Sequence, residues 1–272
     1  MGLSNYAAFI QDNFRIIDKN AVEQPFILNN IQTKYLVEDY TGRDVILKAR
    51  QQGFSSLILA VFTTDFLLKD NTRSVIVADI ADNAMELLDR VKYYISVYEE
   101  INQVKVPLKY NSKYELYNEA NGSRYTIGTA DNKEFGRSKT IHNLHLSEFA
   151  FYPDAERLFA GVMQAVVPGG RVIIETTANG FNYFKTFWDE CALGTRPFKP
   201  NFYKASDFYD SEFLAMKQGE LGRLFDQEYP ETAETAFLTS GMLFFDPFAL
   251  KHYMENTKEI MSSNLVYDLA TI

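Results

Sequence analysis

One stretch of nine residues carries the side chains best suited to binding phosphate. It comprises Lys48, Ala49, Arg50, Gln51, Gln52, Gly53, Phe54, Ser55 and Ser56. A triphosphate needs backbone N–H groups at the start of a helix, a nearby cation and a hydroxyl for Mg²⁺. The mainly apolar residues 44–47 before the stretch predict a short buried strand, and residues 57–62 after it predict a helix. The order strand, loop, helix is the context that a phosphate-binding loop requires.

The usual loop pattern, G-x-x-x-x-G-K-[ST], is matched only in part. Gly53 allows close backbone approach and Ser55 occupies the position of the metal-binding Ser/Thr, but Phe54 stands in the lysine position. Lys48 stands where the first glycine would be, and we expect it to reach the phosphates by folding over the loop. Arg50 adds a second cation. The alternative is an ordinary basic turn between a strand and a helix.

A second strand-like segment ends in an acid. Residues 140–146 are rich in apolar side chains and lead into Ser147 and Glu148. ATPases with a phosphate loop use a second strand that carries a metal-orienting group and a carboxylate beside the attacking water. Glu148 is the candidate carboxylate. Ser147 stands where an Asp usually supports the magnesium shell, so we expect it to act through water. A solvated acid at a strand end is the alternative.

A third apolar run ends in hydroxyl side chains, with Thr176 and Thr177 followed by Asn179-Gly180. Hydroxyls at the end of a buried strand can sense the γ-phosphate through a water and pass its loss to a moving element. The alternative is that the two threonines merely suit a strand and that Asn179-Gly180 is a turn.

Taken in order, these segments resemble the ATPase domain of the large terminase subunit, the DNA-packaging motor of tailed bacteriophages. The matching segments are residues 25–32, 48–56, 144–151, 175–180, 225–230 and 234–237. The resemblance implies that Gln32 contacts adenine, that residues 48–56 form a phosphate loop with a leading lysine, and that Glu148 is catalytic. It also implies that Thr176 and Thr177 belong to a coupling motif.

The resemblance implies an α/β P-loop NTPase fold of the ASCE type, with a mainly parallel central sheet and helices on both faces. Alternation of strand-like and helix-like segments favours the same architecture. The implied activity is ATP hydrolysis with Mg²⁺, driving double-stranded DNA into a procapsid in the host cytoplasm. The implied partners are DNA, the portal protein, the small terminase subunit and further copies in a ring, expected to be a pentamer.

Two arginines are candidates for stabilising charge on the departing phosphate. Arg137 lies shortly before the second strand and is flanked by Gly136, so we expect it to act on a neighbouring subunit. Arg50 is the alternative, acting within its own subunit. For Arg137 the other interpretation is an arginine on an exposed turn that pairs with a nearby acid.

The segments divide the chain into an N-terminal helical arm (1–24), an ATPase domain (25–246) and a C-terminal helical or linker segment (247–272). Large terminases usually carry a C-terminal nuclease domain. About thirty residues follow Phe244, whereas such a domain needs on the order of 100 or more. We therefore expect no nuclease domain in this chain.

Composition narrows the remaining function classes. The net charge of −9 disfavours a tight, autonomous DNA binder, and we expect the basic stretch of Lys105, Lys109 and Lys113 to be solvated. No membrane span and no signal peptide are apparent. With one cysteine, Cys191, and three histidines, we expect neither a disulfide nor a zinc site.

Two other functions remain open. A helicase-like or repair ATPase shares the core, but it would need further arginine-bearing motifs after the third strand, which we do not find. A nucleotide-binding scaffold with little hydrolysis is suggested by the missing lysine at Phe54 and the missing aspartate at Ser147.

Overall fold

The computed structural model describes residues 3–18, 20–132 and 140–239 together with Asn256. A central eight-stranded sheet is accompanied by a two-stranded hairpin. The strands are β1 Arg15–Ile17, β2 Glu23–Pro25, β3 Arg43–Lys48, β4 Arg73–Ala78, β5 Leu108–Asn111, β6 Glu115–Asn118, β7 Arg124–Thr129, β8 Ile141–Ser147, β9 Val166–Thr176 and β10 Lys199–Tyr203. The α-helices are α1 Leu3–Asn13, α2 Asn30–Lys34, α3 Phe54–Leu68, α4 Ala81–Asn102, α5 Ala155–Met163, α6 Tyr183–Ala192, α7 Ser211–Leu221, α8 Phe225–Glu228 and α9 Ala233–Thr239. A π-helical turn, Tyr35–Asp39, continues α2.

The strands of the large sheet follow the order β10-β3-β9-β8-β4-β7-β6-β5. The first six pair in parallel, and β6 and β5 extend the sheet in antiparallel fashion. β9 therefore lies between β3, which precedes the phosphate loop, and β8, which precedes Glu148. This is the position of the additional strand in the ASCE type. The parallel pairing of the first six strands confirms the predicted, mainly parallel sheet.

Strand side chains alternate between two apolar layers. In β3, Val45 and Leu47 face a cluster that includes α5 and α6, whereas Ile46 faces a cluster that includes α3 and α4. A parallel strand with helices on both faces must be apolar in both directions, which explains its nearly continuous apolar run. Helices on both faces of the sheet are likewise confirmed.

The amino-terminal arm differs from the predicted helix. α1 ends at Asn13, and β1 and β2 then form a hairpin. Asp18 closes the reversal because its carboxylate accepts the N–H groups of Asn20 and Val22 at 2.8 and 2.9 Å. The arm packs on its own chain, and the ring of Phe14 stacks on Tyr94 of α4 with a centroid separation of 5.0 Å.

Two further elements contain a proline or a glycine that opposes regular secondary structure. β10 forms a parallel edge strand beside β3, although Pro200 and Asn201 weaken its strand pattern. An edge position tolerates a proline because one side of the strand needs no ladder partner. The helical segment from α7 to α8 is interrupted at Gly222, whose φ of +54° is incompatible with a continuing helix.

Within the described residues, no helix combines the length and the apolar character that crossing a bilayer requires.

A buried polar network ties the amino-terminal ends of the strands to α1 and α3. The carboxylate of Asp65 in α3 accepts from Tyr6 and from Asn143, the latter at 3.1 Å, and pairs with Arg171 of β9. Lys69 adds a second cation to Asp65 at 2.9 Å. Because Asp65 is buried, its charge depends on these partners rather than on water.

We expect the substitution Asp65→Asn to lower the free energy of unfolding by about 3–5 kcal/mol, because Arg171 keeps its charge and loses the anion that pairs with it. Urea denaturation of the two proteins measures the difference. Asp89→Asn is the matched control, since Asp89 pairs with Lys92 on the exposed surface of α4 and its loss should cost less than about 1 kcal/mol. Equal shifts of the two midpoints would contradict this prediction.

Candidate functional site

The predicted phosphate loop connects the end of β3 to the start of α3. Lys48 is the last residue of the strand, and Gly53 precedes the first helical residue with a φ of +82°. That value lies in the left-handed region, where a residue with a Cβ is strained. The first helical bond runs from Leu57 N–H to Gly53 O at 3.1 Å. Earlier N–H groups of α3 have no partner within the helix, so they can face an anion.

Side chains from the segment before α2 hold the backbone of this loop. Asn29 caps α2, and Gln32 completes a capping box with it. The Gln32 Nε2 donates to Gly53 O at 2.8 Å, and Asn29 Nδ2 donates to Gln52 O at 3.3 Å. Gln52 is itself buried and donates to Lys204 O at 3.0 Å. Gln32 is therefore a brace of the loop, and its contact with adenine stays a prediction.

Phe54 belongs to the core rather than to the phosphate cradle. Its ring is fully buried, 4.7 Å from the Tyr203 ring and 5.7 Å from the Tyr35 ring by centroid. Aromatic pairs at these separations add to the stabilisation from buried area. The residue in the usual lysine position thus anchors the first turn of α3 against β10 and the π-helical turn.

Lys48 lies between two carboxylates. Its Nζ is 3.1 Å from Glu148 Oε1 and 3.1 Å from Glu175 Oε2. The lysine side chain is 6% exposed and that of Glu175 is 0% exposed, whereas Glu148 is 34% exposed and can meet solvent. The leading lysine of the loop and the predicted catalytic acid are therefore in direct contact.

The pKa values of the buried pair follow from these contacts. Burial alone would lower the pKa of Lys48, but the charges of Glu148 and Glu175 outweigh it and raise that pKa above its usual value. Burial would likewise raise the pKa of Glu175, but the charge of Lys48 and hydrogen bonds from His145 and Ser147 hold it well below its usual range. Both residues are therefore charged at neutral pH.

Three polar side chains also contact Glu175. Its Oε1 accepts from Ser55 at 2.8 Å and from Ser147 at 2.7 Å, and His145 Nε2 lies 3.2 Å away. Both serines that the sequence suggests for the metal thus point at one oxygen atom. His145 is a buried strand residue that also contacts this acid.

Glu148 is held in a rare backbone conformation, with φ +55° and ψ +44°. Its N–H donates to Glu175 O at 2.8 Å, and its Oε2 lies 3.3 Å from Thr177 N and 3.4 Å from Thr176 Oγ1. A left-handed conformation at a residue other than glycine is costly and is often found at functional sites. Both predicted coupling threonines are thus next to the predicted catalytic acid.

The remaining predicted residues lie at the margin of this cluster. Arg50 is exposed and pairs with Glu228 of α8, while Tyr209 donates to Arg50 O at 2.8 Å. Gln51 is exposed with a φ of +56°, and Ser56 Oγ accepts from Arg90 at 3.0 Å. Arg50 therefore faces Glu228 rather than Lys48 and Glu148. Arg137 lies outside the described residues, as does segment 247–272 apart from Asn256.

Hard oxygen atoms suited to Mg²⁺ converge at this site. They are the hydroxyls of Ser55 and Ser147 and the carboxylate of Glu175. Within the described ranges no group of three or more His, Cys, Asp or Glu side chains could hold a metal by itself. Mg²⁺ is usually bound by one or two protein groups together with water and substrate phosphates, so this sparse set fits it.

Glu175 is the site residue that sequence reasoning missed, although it begins the predicted coupling motif. The available signal was an acid inside an apolar run, between Ile174 and Thr176. A charged residue at the end of a strand that is buried on both faces needs a partner of opposite charge. That partner lies 127 residues earlier in the chain, at Lys48, and local sequence does not show it.

We expect Gly53→Ala to lower the free energy of unfolding by roughly 1–3 kcal/mol, because an alanine is strained at this φ. The added Cβ would also lie 2.6 Å from Gln32 Nε2 and so disturb the brace of the loop. Gly161→Ala is the control: in α5 no atom lies within 4 Å of its Cβ, and stability should stay the same or rise by up to about 1 kcal/mol. A chemical denaturation series that finds both variants equally stable would argue against this geometry.

No family profile matches the sequence, but solved structures share its fold. The large terminase ATPase domain of Thermus phage P74-26 is similar at a TM-score of 0.58 and 19% identity, over 74% of this chain and 92% of that one. The HK97 bacteriophage large terminase gives 0.62 and 15%, over 87% and 50%. The large terminase of a thermophilic bacteriophage, solved in complex with ATP-gamma-S, gives 0.55 and 11%, over 74% and 51%. This chain spans about half the length of the latter two. The chain therefore has the fold of large terminase ATPase domains, and the predicted α/β fold with a mainly parallel central sheet is confirmed.

Proposed function

We propose that this chain is the ATPase motor domain of a viral large terminase, hydrolysing ATP to drive double-stranded DNA into a procapsid. The observation that carries the proposal is the contact of Lys48 with Glu148 at 3.1 Å, at the mouth of a phosphate loop on this fold. This contact places a cation that can bind phosphate beside an acid that can polarise water. Both lie at the carboxyl ends of parallel strands, where ligands bind in open α/β sheets.

The catalytic roles follow from the positions of these groups. Glu148 polarises a water for in-line attack on the γ-phosphate, and Lys48 and the free N–H groups of α3 neutralise the phosphate charge. We expect the triphosphate to compete with Glu148 for Lys48, which leaves the carboxylate free to hold the water. Arg50 contributes once it exchanges Glu228 for a phosphate.

Magnesium fits beside Ser55, whose hydroxyl would hold it, with Ser147 supporting its water shell. When bound, Mg²⁺ neutralises charge on the β- and γ-phosphates. The chain's own contribution is to hold the two hydroxyls at 2.8 and 2.7 Å from one carboxylate oxygen, which keeps them in fixed positions.

Coupling to movement is assigned to Thr176 and Thr177. Both contact Glu148 Oε2, so a change at the γ-phosphate that moves Glu148 also moves the end of β9. The Asn179 side chain donates to Ala150 O at 3.2 Å and links the following turn to the segment after Glu148. We propose that phosphate release relaxes this connection and drives a stroke along DNA.

The proposed partners come from the fold comparison and the sequence resemblance. They are double-stranded DNA, the portal protein, the small terminase subunit and further copies of the chain in a pentameric ring, assembled in the host cytoplasm. A net charge of −9 means that any grip on DNA must come from a local basic patch or from the assembled ring.

A nucleotide-binding scaffold with little hydrolysis is the second candidate. It is favoured by the same ion cluster, because a lysine held by two carboxylates must exchange at least one of them before it can serve a phosphate. The rate of ATP turnover, with and without double-stranded DNA, separates this scaffold from a motor.

We expect Glu148→Gln to retain ATP binding and to lower turnover about 100-fold or more, because the amide cannot take a proton from water. Steady-state hydrolysis and equilibrium binding of ATP-gamma-S provide the two readouts. Glu156→Gln, an exposed substitution in α5, is the control and should leave both unchanged. If the wild-type chain hydrolyses ATP and Glu148→Gln hydrolyses it equally fast, Glu148 has no catalytic role.

A mixing experiment tests whether Arg137 acts on a neighbouring subunit. Arg137→Ala and Glu148→Gln should each be nearly inactive, since such an arginine is worth about 10³-fold or more in rate. Their mixture should recover activity, because the Glu148→Gln subunit supplies Arg137 to an intact site on its neighbour. Arg50→Ala mixed with Glu148→Gln is the matched comparison. Because Arg50 is expected to act within its own subunit, this second mixture should stay inactive. An Arg137→Ala mixture that does not recover would show that Arg137 does not act on a neighbour.

A further inference from the structure

The site lacks an acid where P-loop ATPases normally place one. In that class the P-loop Ser/Thr and an Asp on the second strand hold the magnesium ion between them. Here the P-loop hydroxyl is Ser55, but the strand position is Ser147, which carries no charge. A neutral hydroxyl brings no negative charge toward a divalent cation, so on the protein side that charge must come from another element.

β9 places a carboxylate next to that position. Ser147 and Glu175 are register partners on neighbouring parallel strands. Their side chains lie on the same side of the sheet, since Ser147 Oγ donates to Glu175 Oε1 at 2.7 Å. Adjacent strands are about 4.8 Å apart, and the extra methylene of a glutamate helps the carboxylate to cover that distance.

The same oxygen contacts the P-loop hydroxyl. Ser55 Oγ donates to Glu175 Oε1 at 2.8 Å across 120 residues of sequence. In the described part of the chain, the Ser55 and Ser147 hydroxyls both bond to Glu175 and not to each other. Glu175 is thus the acid that touches both hydroxyls expected near the metal.

The charge balance also favours a cation here. Lys48 is one positive charge between two carboxylates, Glu148 and Glu175, and the next cation along the loop, Arg50, pairs with Glu228. The two carboxylates and the lysine together therefore carry one net negative charge beside the loop, part of it on the half-exposed Glu148, and a cation bound there would be attracted to it.

We infer that Glu175 supplies, from the neighbouring strand, the acidic group toward Mg²⁺ that Ser147 cannot supply. The inference rests on the proposed function and assigns Glu175 as a positioning residue, acting through the Ser55 hydroxyl and the water shell of the metal. Ser147 and Glu175 together then replace one aspartate.

The test measures how strongly Mg²⁺ improves binding of ATP-gamma-S to the full chain. Affinity is determined by titration calorimetry in EDTA and at saturating Mg²⁺. The dissociation constant in EDTA divided by that in Mg²⁺ gives a ratio that is compared between variants. We expect Glu175→Gln to reduce this ratio by about 10- to 100-fold, the usual effect of losing a residue that orients a metal ligand. Affinity in EDTA should be retained.

Two matched variants separate this role from simple support of Lys48. Glu148→Gln also removes one carboxylate from Lys48 but does not contact Ser55 or Ser147, so its Mg²⁺ ratio should stay as in the wild type. In Ser147→Asp/Glu175→Gln the acid is returned to β8 at unchanged total charge, and the ratio should recover. This double variant also keeps a charge near Lys48 if Glu175→Gln alone does not fold.

A wild-type chain that fails to bind ATP-gamma-S would overturn the proposed function itself. If it binds with a clear Mg²⁺ dependence, three results overturn the role of Glu175 alone. They are an unchanged ratio in Glu175→Gln, equal losses of affinity with and without Mg²⁺, and a folded double variant whose ratio does not recover. Manganese paramagnetic resonance of the nucleotide-bound variants gives an independent readout, since loss of the acid should weaken Mn²⁺ binding in parallel.

Discussion

The burial of Lys48 at the end of β3 is the constraint on which the site depends. The Lys48 side chain is 6% exposed, so its ammonium group loses most of its hydration. The two carboxylates at 3.1 Å compensate for the hydration free energy that is lost. Those acids come from β8 and β9, so the lysine is stable only when the three strand ends are assembled in the order β3-β9-β8. The site and the centre of the sheet therefore form together.

Because the lysine stands at the start of the loop, the residues that follow it have structural roles. Phe54, freed from binding phosphate, packs between Tyr35 and Tyr203 and fixes the first turn of α3. Gln32 then holds the carbonyl of Gly53 from outside. Aromatic packing and side-chain amides thus hold the backbone of the loop in place although the usual lysine is missing.

The polar groups at the two ends of the sheet differ in role: those at one end stabilise the fold, and those at the other form the candidate site. At the amino-terminal ends, Asp65 and Arg171 form a closed network with Tyr6 and Asn143, and their charges are satisfied within the chain. At the carboxyl-terminal ends, Glu148 is strained, partly exposed and only weakly bonded to Thr176 and Thr177. The first arrangement holds the strands together, and the second can respond to a ligand.

The sequence by itself determined the sheet class, and it predicted the place of the phosphate loop and the role of Glu148, because strand periodicity and motif spacing are local properties. It did not determine the hairpin after α1, the edge strand β10 or the burial of Phe54, since each depends on contacts with distant segments. Only the tertiary structure placed Glu175 between Lys48 and two serines. The reason is physical: the order of strands in a parallel sheet is set by packing across the whole domain, and that order decides which charges meet.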